Sequence, residues 1–505
     1  MTVRDKHPRE GKEPQSVGAN SEGSDAGMVP KKSAKTRVTP VESTEGRPAA
    51  EGKSALRNAP RAQDREGAPT QVERIGQRAK EQKGERFENL LSAVKAPLLK
   101  EAYQCLRKDA ASGVDEVTWE EYGKALDARV LELQDRIHRG SYHPQPVRRV
   151  HIPKGDGTRP LGIPTLEDKL VQQAVRMVLE PIYEREFLGF SYGYRPRRSP
   201  HKALTAVAEL VSRKTSWVLD ADIRSFFDTI DHEWMKQFIE HRIGDKRMVR
   251  LLMKWLHAGV MEDGELHEVT TGTPQGGIIS PLLANLYLHY VLDLWANQWR
   301  KRHARGEVYI VRYADDLVMG FQYEQDARAM REALATRLAK FGLELHPDKT
   351  RVIRFGRYAL EAAKATGRTR PETFDFLGFT HIAGVDRHGK FQLKRRTSRK
   401  KRKAKLATLR ETIRKHRHSP LRAQHKWLVS VLQGHYRYYG VPTNSVALHQ
   451  FREQVRVTWH RQLQRRSQRA GWNRAQLTKF EKHFPLPQPR IHHPWPSLRR
   501  AKPLT

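Results

Sequence analysis

The stretch VRYADDLVMG, residues 311–320, sets two adjacent carboxylates, Asp315 and Asp316, in the middle of an apolar run. Adjacent like charges repel, and burying either without a partner is costly. The flanks EVYIVRY and LVMGF are both strand-like, with a short polar break between them. This pattern predicts a hairpin whose turn presents both carboxylates at one end of a sheet. Upstream, WVLDADIRSFFDTIDH supplies a second acidic strand end, with Asp220 and Asp222 on one face by the period of a strand. If the two strands are neighbours, Asp222 faces Asp315. Three carboxylates converging there suit Mg²⁺ and two-metal phosphoryl transfer, with one ion activating a 3′-hydroxyl and the other stabilising the leaving pyrophosphate. An isolated Asp-Asp pair is most often only a polar turn. The specificity lies in the two acidic strand ends occurring together, in this order.

The charge balance points the same way. Lys and Arg number 93 against 57 Asp and Glu, a formal charge of +36 over 505 residues. Such an excess calls for a polyanionic partner, nucleic acid first. The single cysteine, Cys105, excludes a disulfide framework and cysteine-rich zinc sites and fits a reducing cytoplasm. The N-terminal MTVRDKHPREGKEPQ has no apolar signal segment. GIISPLLANLYLHYVLDLWA, residues 277–296, has the length of a membrane span but is interrupted by Ser280, Asn285, His289 and Asp293. It is expected to form a buried amphipathic helix, with Ser280 as N-cap and Pro281 in the first turn, and no membrane partner is expected.

Composition divides the chain. Residues 1–84 carry few large apolar groups and are expected to form a disordered polar tail. Helical periodicity begins at RFENLLSAVKAPLLKEAYQCL and continues in TWEEYGKALDARVLELQDRI, giving a helical segment over 85–150. RRVHIPKGDGTRPLGIP reads as strand, turn and strand, with Gly155, Asp156 and Gly157 in the turn. Strands and helices then mix as an α+β unit over 151–385. Residues 394–475 are basic and mostly helical, and 476–505 are expected to be a basic tail. Residues 394–410 include ten Lys or Arg in seventeen positions, and GHYRYYG interleaves Tyr436, Arg437, Tyr438 and Tyr439. The cations suit phosphates, and aromatics beside arginine can stack on unpaired bases. Packing in a helical core is an equal alternative for Tyr438 and Tyr439.

These motifs together resemble one family. RYADDLVMG is similar to the Tyr-x-Asp-Asp motif of reverse transcriptases. KGDGTRPLGIPTLEDKLVQQAV, FLGFSYGYRPRRSPHKAL, DADIRSFFDTIDH, GTPQGGIISPLLANLYLHYVLD, GLELHPDKTRVI and FDFLGFTHI resemble, in order, blocks of the bacterial group II intron reverse transcriptase/maturase family. WLVSVLQGHYRYYGVPTN and WHRQLQRRSQR resemble its maturase domain. The resemblance covers about 85–475.

The resemblance implies a right-hand polymerase, fingers and palm followed by an α-helical thumb and maturase domain. It implies RNA-directed DNA synthesis with two Mg²⁺ ions at Asp222, Asp315 and Asp316. Deoxynucleoside triphosphates would be bound by Lys154 and Arg159, gated by Phe227 and lined by Gln275, with Gly276 and Gly277 allowing close backbone approach. Tyr313 would lie beside the primer terminus, and Asp231 would cap a helix. The implied partners are the intron RNA, an RNA template with a DNA or RNA primer, and target DNA, met at the nucleoid. Arg395, Arg396, Arg399, Lys400, Lys401, Arg402, Tyr436 and Arg437 are the candidate nucleic-acid contacts.

In SGVDEVTW, Glu116 stands where the family commonly carries glycine. The HNH-type endonuclease of many members is not expected. The rival readings are an RNA-binding splicing factor without polymerase activity, and a reverse transcriptase of another retroelement or defence system.

Overall fold

The computed structural model describes residues 70–154, 157–212, 214–262, 265–267, 271–273, 276–466 and 473–495. The expected tail over 1–69 lies outside them, as do the turn residues Gly155 and Asp156. Within the supposed tail, Gln71–Glu81 forms helix α1. Thr70 and Glu73 close a capping box at its start, and Gly76 rides on Pro181. A single helical face with a sealed N-terminus is enough to order a segment whose composition reads as disorder.

The N-terminal helices follow as α2 (Ala96–Cys105), α3 (Trp119–Gly123) and α4 (Leu126–Arg139). The expected single helix over TWEEYGKALDARVLELQDRI is therefore two. Glu116 takes φ +56°, so the turn keeps the left-handed conformation that glycine favours. Strands β1 (Val147–Lys154) and β2 (Gly157–Ile163) form the expected hairpin, in a four-stranded sheet of order β2-β1-β4-β5 with β4 (Val260–Glu262) and β5 (Glu265–His267). Helix α5 (Leu166–Tyr183) is capped by Thr165 and buries Leu170, Val171, Ala174, Val178 and Ile182 in the largest core.

Helix α6 (Pro200–Ser212) leads into β3 (Trp217–Asp222). Helices α7 (His232–Arg242) and α8 (Lys246–Leu256) follow, with Asp231 capping α7 as expected by accepting from Trp234 N–H at 2.9 Å. The apolar stretch folds as α9 (Ser280–Leu288), a π turn over His289–Asp293, and α10 (Leu294–Arg302). It is buried nearly all round rather than on one face. Ser280 opens the helix instead of capping it and accepts from the Thr273 hydroxyl at 3.0 Å. No described helix is long and apolar enough to cross a membrane.

Strands β6 (Val308–Tyr313) and β7 (Asp316–Phe321), helix α11 (Glu324–Ala339) and β8 (Arg351–Arg354) complete a central antiparallel sheet of order β6-β7-β3-β8. After α12 (Ala359–Ala365), strands β9 (Thr373–Phe376), β10 (Phe379–Val385) and β11 (Phe391–Thr397) form a third sheet. The basic run expected to start a helical domain at 394 therefore begins inside a strand. Helices α13 (Arg399–Lys415), α14 (Leu421–Tyr439) and α15 (Ser445–Gln464) pack round their own apolar core.

The expected basic tail instead begins with helix α16 (Arg474–His483), closed by an Asn473–Gln476 capping box. Residues 484–495 then run back over the helices as an extended strap. Carbonyls of Pro485 and Pro487 accept from His425 and from Tyr436 and Arg452. His492 and His493 N–H both donate to the Gly440 carbonyl, and His493 stacks on His201 of α6. Proline suits such a strap because it offers a carbonyl without an N–H that needs a partner.

His381, on β10, is fully buried and stacked on Phe374. Burial, helped by Arg395, pushes its pKa down to about 3. The unfolded chain, with an ordinary histidine near 6.5, therefore binds the extra proton between those values. The stability tied to the neutral ring is present above the unfolded value and is lost as pH falls through the window. His381→Leu should flatten the acid loss of stability, by up to roughly 1.4 kcal/mol per pH unit. Urea midpoints from pH 7 to 4 check this, and parallel curves for the two proteins would count against it.

Candidate active site

β3 and β7 are antiparallel neighbours, as the site requires, but Asp222 pairs with Asp316 and not with Asp315. The reason is the hairpin. Tyr313 pairs with Asp316, leaving Ala314 and Asp315 as a two-residue turn, with φ +56° at Ala314. A positive φ at the first central position alone is the pattern of a type II′ hairpin. Asp315 is therefore lifted into the turn, and Asp316 opens the strand.

The three carboxylates crowd one sheet end. Asp316 is solvent-exposed at the strand's first residue but walled by protein. Its carboxyl is pushed up to about 7, first by that desolvation and then by the charges of Asp315 and Asp222. Lys401 and Lys349 act in the opposite sense. Lys349 reaches Asp222 Oδ2 at 2.5 Å, and His346 N–H donates to the Asp222 carbonyl at 2.8 Å. Neither contact follows from the sequence pattern, although both residues lie in GLELHPDKTRVI. Asp220 shares the strand face of Asp222 and lies 3.7 Å from Arg351, with its carboxyl raised to about 7 mainly by burial. Hard oxygen donors under mutual repulsion fit a divalent cation such as Mg²⁺. Among the described residues no three ligands are already closed into a cage.

Beneath the turn, Arg312 points inward. Its guanidinium donates to both oxygens of Asp293 (2.7 and 2.6 Å), to Asn285 Oδ1 (3.0 Å), to the Ala314 carbonyl (2.9 Å) and to Ser191 Oγ (2.8 Å). Asn285 in turn donates to the Gly193 carbonyl at 2.7 Å. A Cβ on Gly193 would stand 2.3 Å from the Ala314 nitrogen, so the SYG segment lies flush against the turn.

Arg159, on β2 opposite Ile152, is half-buried. Tyr194, 50% exposed, lies within reach of the charges of both Arg159 and Asp315. The Tyr194 phenol is raised by burial and by the charge on Asp315, with Arg159 opposing, and its ring lies 6.4 Å from Tyr313. Phe227, only 7% exposed, packs edge-on against Phe226. Gly276, at φ +128°, comes so near the Gly162 carbonyl that a Cβ would stand 2.3 Å away, which is the close approach expected of it. Gln275 and the Lys154 side chain lie outside the described residues.

Residues 152–381 match the family model described as reverse transcriptase (RNA-dependent DNA polymerase). Protein YkfC of Escherichia coli K12 is 36% identical over 274 residues, 48% of this chain and 71% of that protein. The group II intron-encoded protein LtrA of Lactococcus lactis subsp. cremoris is 39% identical over 230 residues, 44% of this chain. This chain belongs to the group II intron-encoded reverse transcriptases. The match spans only 38% of the Lactococcus protein's length. Nuclear intron maturase 4, mitochondrial, of Arabidopsis thaliana is more distant, 27% identical over 225 residues.

The chain's candidate basic residues divide by burial. Arg395 is 3% exposed, on an inward position of β11 with its guanidinium 4.5 Å from the Trp495 ring centre. Tyr436 is buried in the helical core and donates to the Pro487 carbonyl. These two are corrected from nucleic-acid contacts to packing residues, because neither presents its polar group to an approaching strand. Arg396, Arg399, Lys400, Lys401 and Arg437 are exposed, and Arg402 is half-buried against Gln450. Tyr438 stacks on Phe379 and donates to the Leu377 carbonyl, and Tyr439 packs on Phe379 as well. Core packing describes both.

Gly193→Ala should push the Asp-Asp turn off its seat. Single-nucleotide extension should fall at least about tenfold while RNA binding holds, since displacements near 1 Å at a reacting centre cost that much or more. Unchanged extension would show that the turn yields freely.

Proposed function

We propose that the chain is a right-hand polymerase copying RNA into DNA. In this reading 85–150 is a helical fingers extension, 151–385 holds fingers and palm, and the thumb and maturase surface runs from the β11–α13 junction to about 475. The observation that carries the reading is the cross-strand pairing of Asp222 with Asp316, with Asp315 in the turn beside them. The 3′-hydroxyl oxygen of the primer attacks the α-phosphorus of the deoxynucleoside triphosphate. A new P–O bond forms, the bond to pyrophosphate breaks, and the hydroxyl proton is released.

Asp222, Asp315 and Asp316 would hold Mg²⁺, which when bound lowers the hydroxyl's pKa and offsets charge on the phosphates. Arg159, with Lys154, would grip the triphosphate as fixed cations. Phe227 would limit the space beside the sugar, and Gln275 would line the same pocket. Arg396, Arg399, Lys400, Lys401, Arg402 and Arg437 would follow the phosphate backbone of template, primer or intron RNA. Lys401 supports this placement, because its charge is felt at Asp316. Splicing assistance to its intron and use of target DNA belong to the same proposal.

Asp222→Asn and Asp315→Asn should each lower primer extension by about 10² or more, since a metal-holding charge is removed at the chemistry. RNA affinity should stay within a factor of about two, because the basic surface is untouched. Near wild-type extension by either variant would favour a splicing factor without polymerase activity. Changing Arg399, Lys400 and Lys401 to Gln should instead weaken RNA binding. Salt titration should show a binding slope shallower by roughly 0.7–0.9 for each phosphate that is no longer neutralised. An unaltered slope would move the RNA path elsewhere.

A further inference from the structure

Arg312 directly precedes the Tyr313-Ala314-Asp315-Asp316 segment, yet it is 0% exposed, with its guanidinium spent on protein acceptors. Asp293, its ion partner, is equally buried. All five guanidinium N–H groups meet acceptors, from three other regions of the chain and from the turn itself. The acceptor in the turn matters most. The Ala314 carbonyl belongs to the peptide joining Ala314 to Asp315, and Ala314 already holds a left-handed backbone that a residue with a Cβ resists. A bond of 2.9 Å from Arg312 Nη1 fixes the plane of that peptide.

Asp293 reaches Arg312 from the last position of the π turn, a local widening of the helix that shifts the facing of the residues after it. Removing either partner would strand a buried charge. Lysine in place of Arg312 would keep the charge but not the planar fork. It could not satisfy both Asp293 oxygens and the Ala314 carbonyl together.

We infer that Arg312, locked by Asp293, is a positioning residue that sets the direction of the Asp315 carboxylate by holding the Ala314 carbonyl. The inference rests on the reading of Asp222, Asp315 and Asp316 as the reaction centre. It makes the buried pair part of the polymerase's metal response without contact to metal or substrate.

The test uses the full chain carrying Arg312→Lys or Asp293→Asn, with Asp315→Asn in parallel. Five quantities are measured: kcat and KM for a deoxynucleoside triphosphate, the Mg²⁺ concentration for half-maximal extension, Mn²⁺ binding by electron paramagnetic resonance, and RNA affinity. Arg312→Lys should lower kcat by about 10- to 100-fold, as for a misplaced reacting group. KM should move less than about threefold, half-maximal Mg²⁺ should rise several-fold, Mn²⁺ binding should weaken, and RNA affinity should hold. Asp293→Asn should follow in the same direction by a smaller factor.

Wild-type kcat and metal response in Arg312→Lys, beside an inactive Asp315→Asn, would overturn this inference alone. Full extension by Asp315→Asn would overturn the underlying reading of the carboxylates. Loss of RNA binding together with extension in both pair variants would assign Arg312 and Asp293 to folding only, and would also overturn the inference.

Discussion

A guanidinium shut away from water must find an acceptor for every N–H it carries, and Arg312 finds five. Meeting that demand fixes the relation between a strand, a helix, a loop and a turn. It also explains two of the four polar residues that keep 277–296 from being a plain apolar helix. Asn285 and Asp293 are there because Arg312 is opposite them. The arginine beside the Asp-Asp pair is thus not its counter-ion. The carboxylates of the turn keep their mutual repulsion, with Lys349 and Lys401 relieving part of it. A site left with excess negative charge on rigid backbone suits the capture of cations, while the charge needed for folding is settled one layer below.

Much of this is legible in the sequence because it depends on local patterns. The two apolar flanks of the Asp-Asp pair make the hairpin, Asp231 has the position of an N-cap, and Gly276 has to lie where a side chain could not. What escapes a sequence reading depends on one-residue shifts or on distant partners. A turn of two residues rather than one or three decides which aspartate faces Asp222, and the letters ADD do not state the turn type. The stretch from Lys394 to Arg410 looks like one basic helix. Its first four residues instead follow a strand's alternation, which turns Arg395 inward and Arg396 outward. Tyr436 beside Arg437 looks like a stacking surface. A helix separates neighbours by about 100°, so one can be core and the other exposed.

Lys349, the π turn and the strap are hidden for a different reason. Each acquires its meaning only from a partner far along the chain. Lys349 is a surface-type residue until the β3 strand end lies beside it. Asp293 is an interruption in an apolar run until Arg312 arrives. Of the two histidines of IHHPWP, His493 becomes an aromatic plate against His201.

The strap also has a temporal consequence. Every hydrogen bond described for residues 484–495 joins it to another element, so it has no structure to adopt on its own. Its seat beside α6 is itself assembled across long range, since the His201 bond to the Tyr438 carbonyl spans 237 residues. Closing such a loop costs entropy that grows only with the logarithm of its length, but the cost is met before the contacts form. A ribosome delivers 484–495 after the sheet and α13–α15 have emerged. The strap therefore docks onto a surface already built, and its arrival acts as a late latch across α14, α15 and α6.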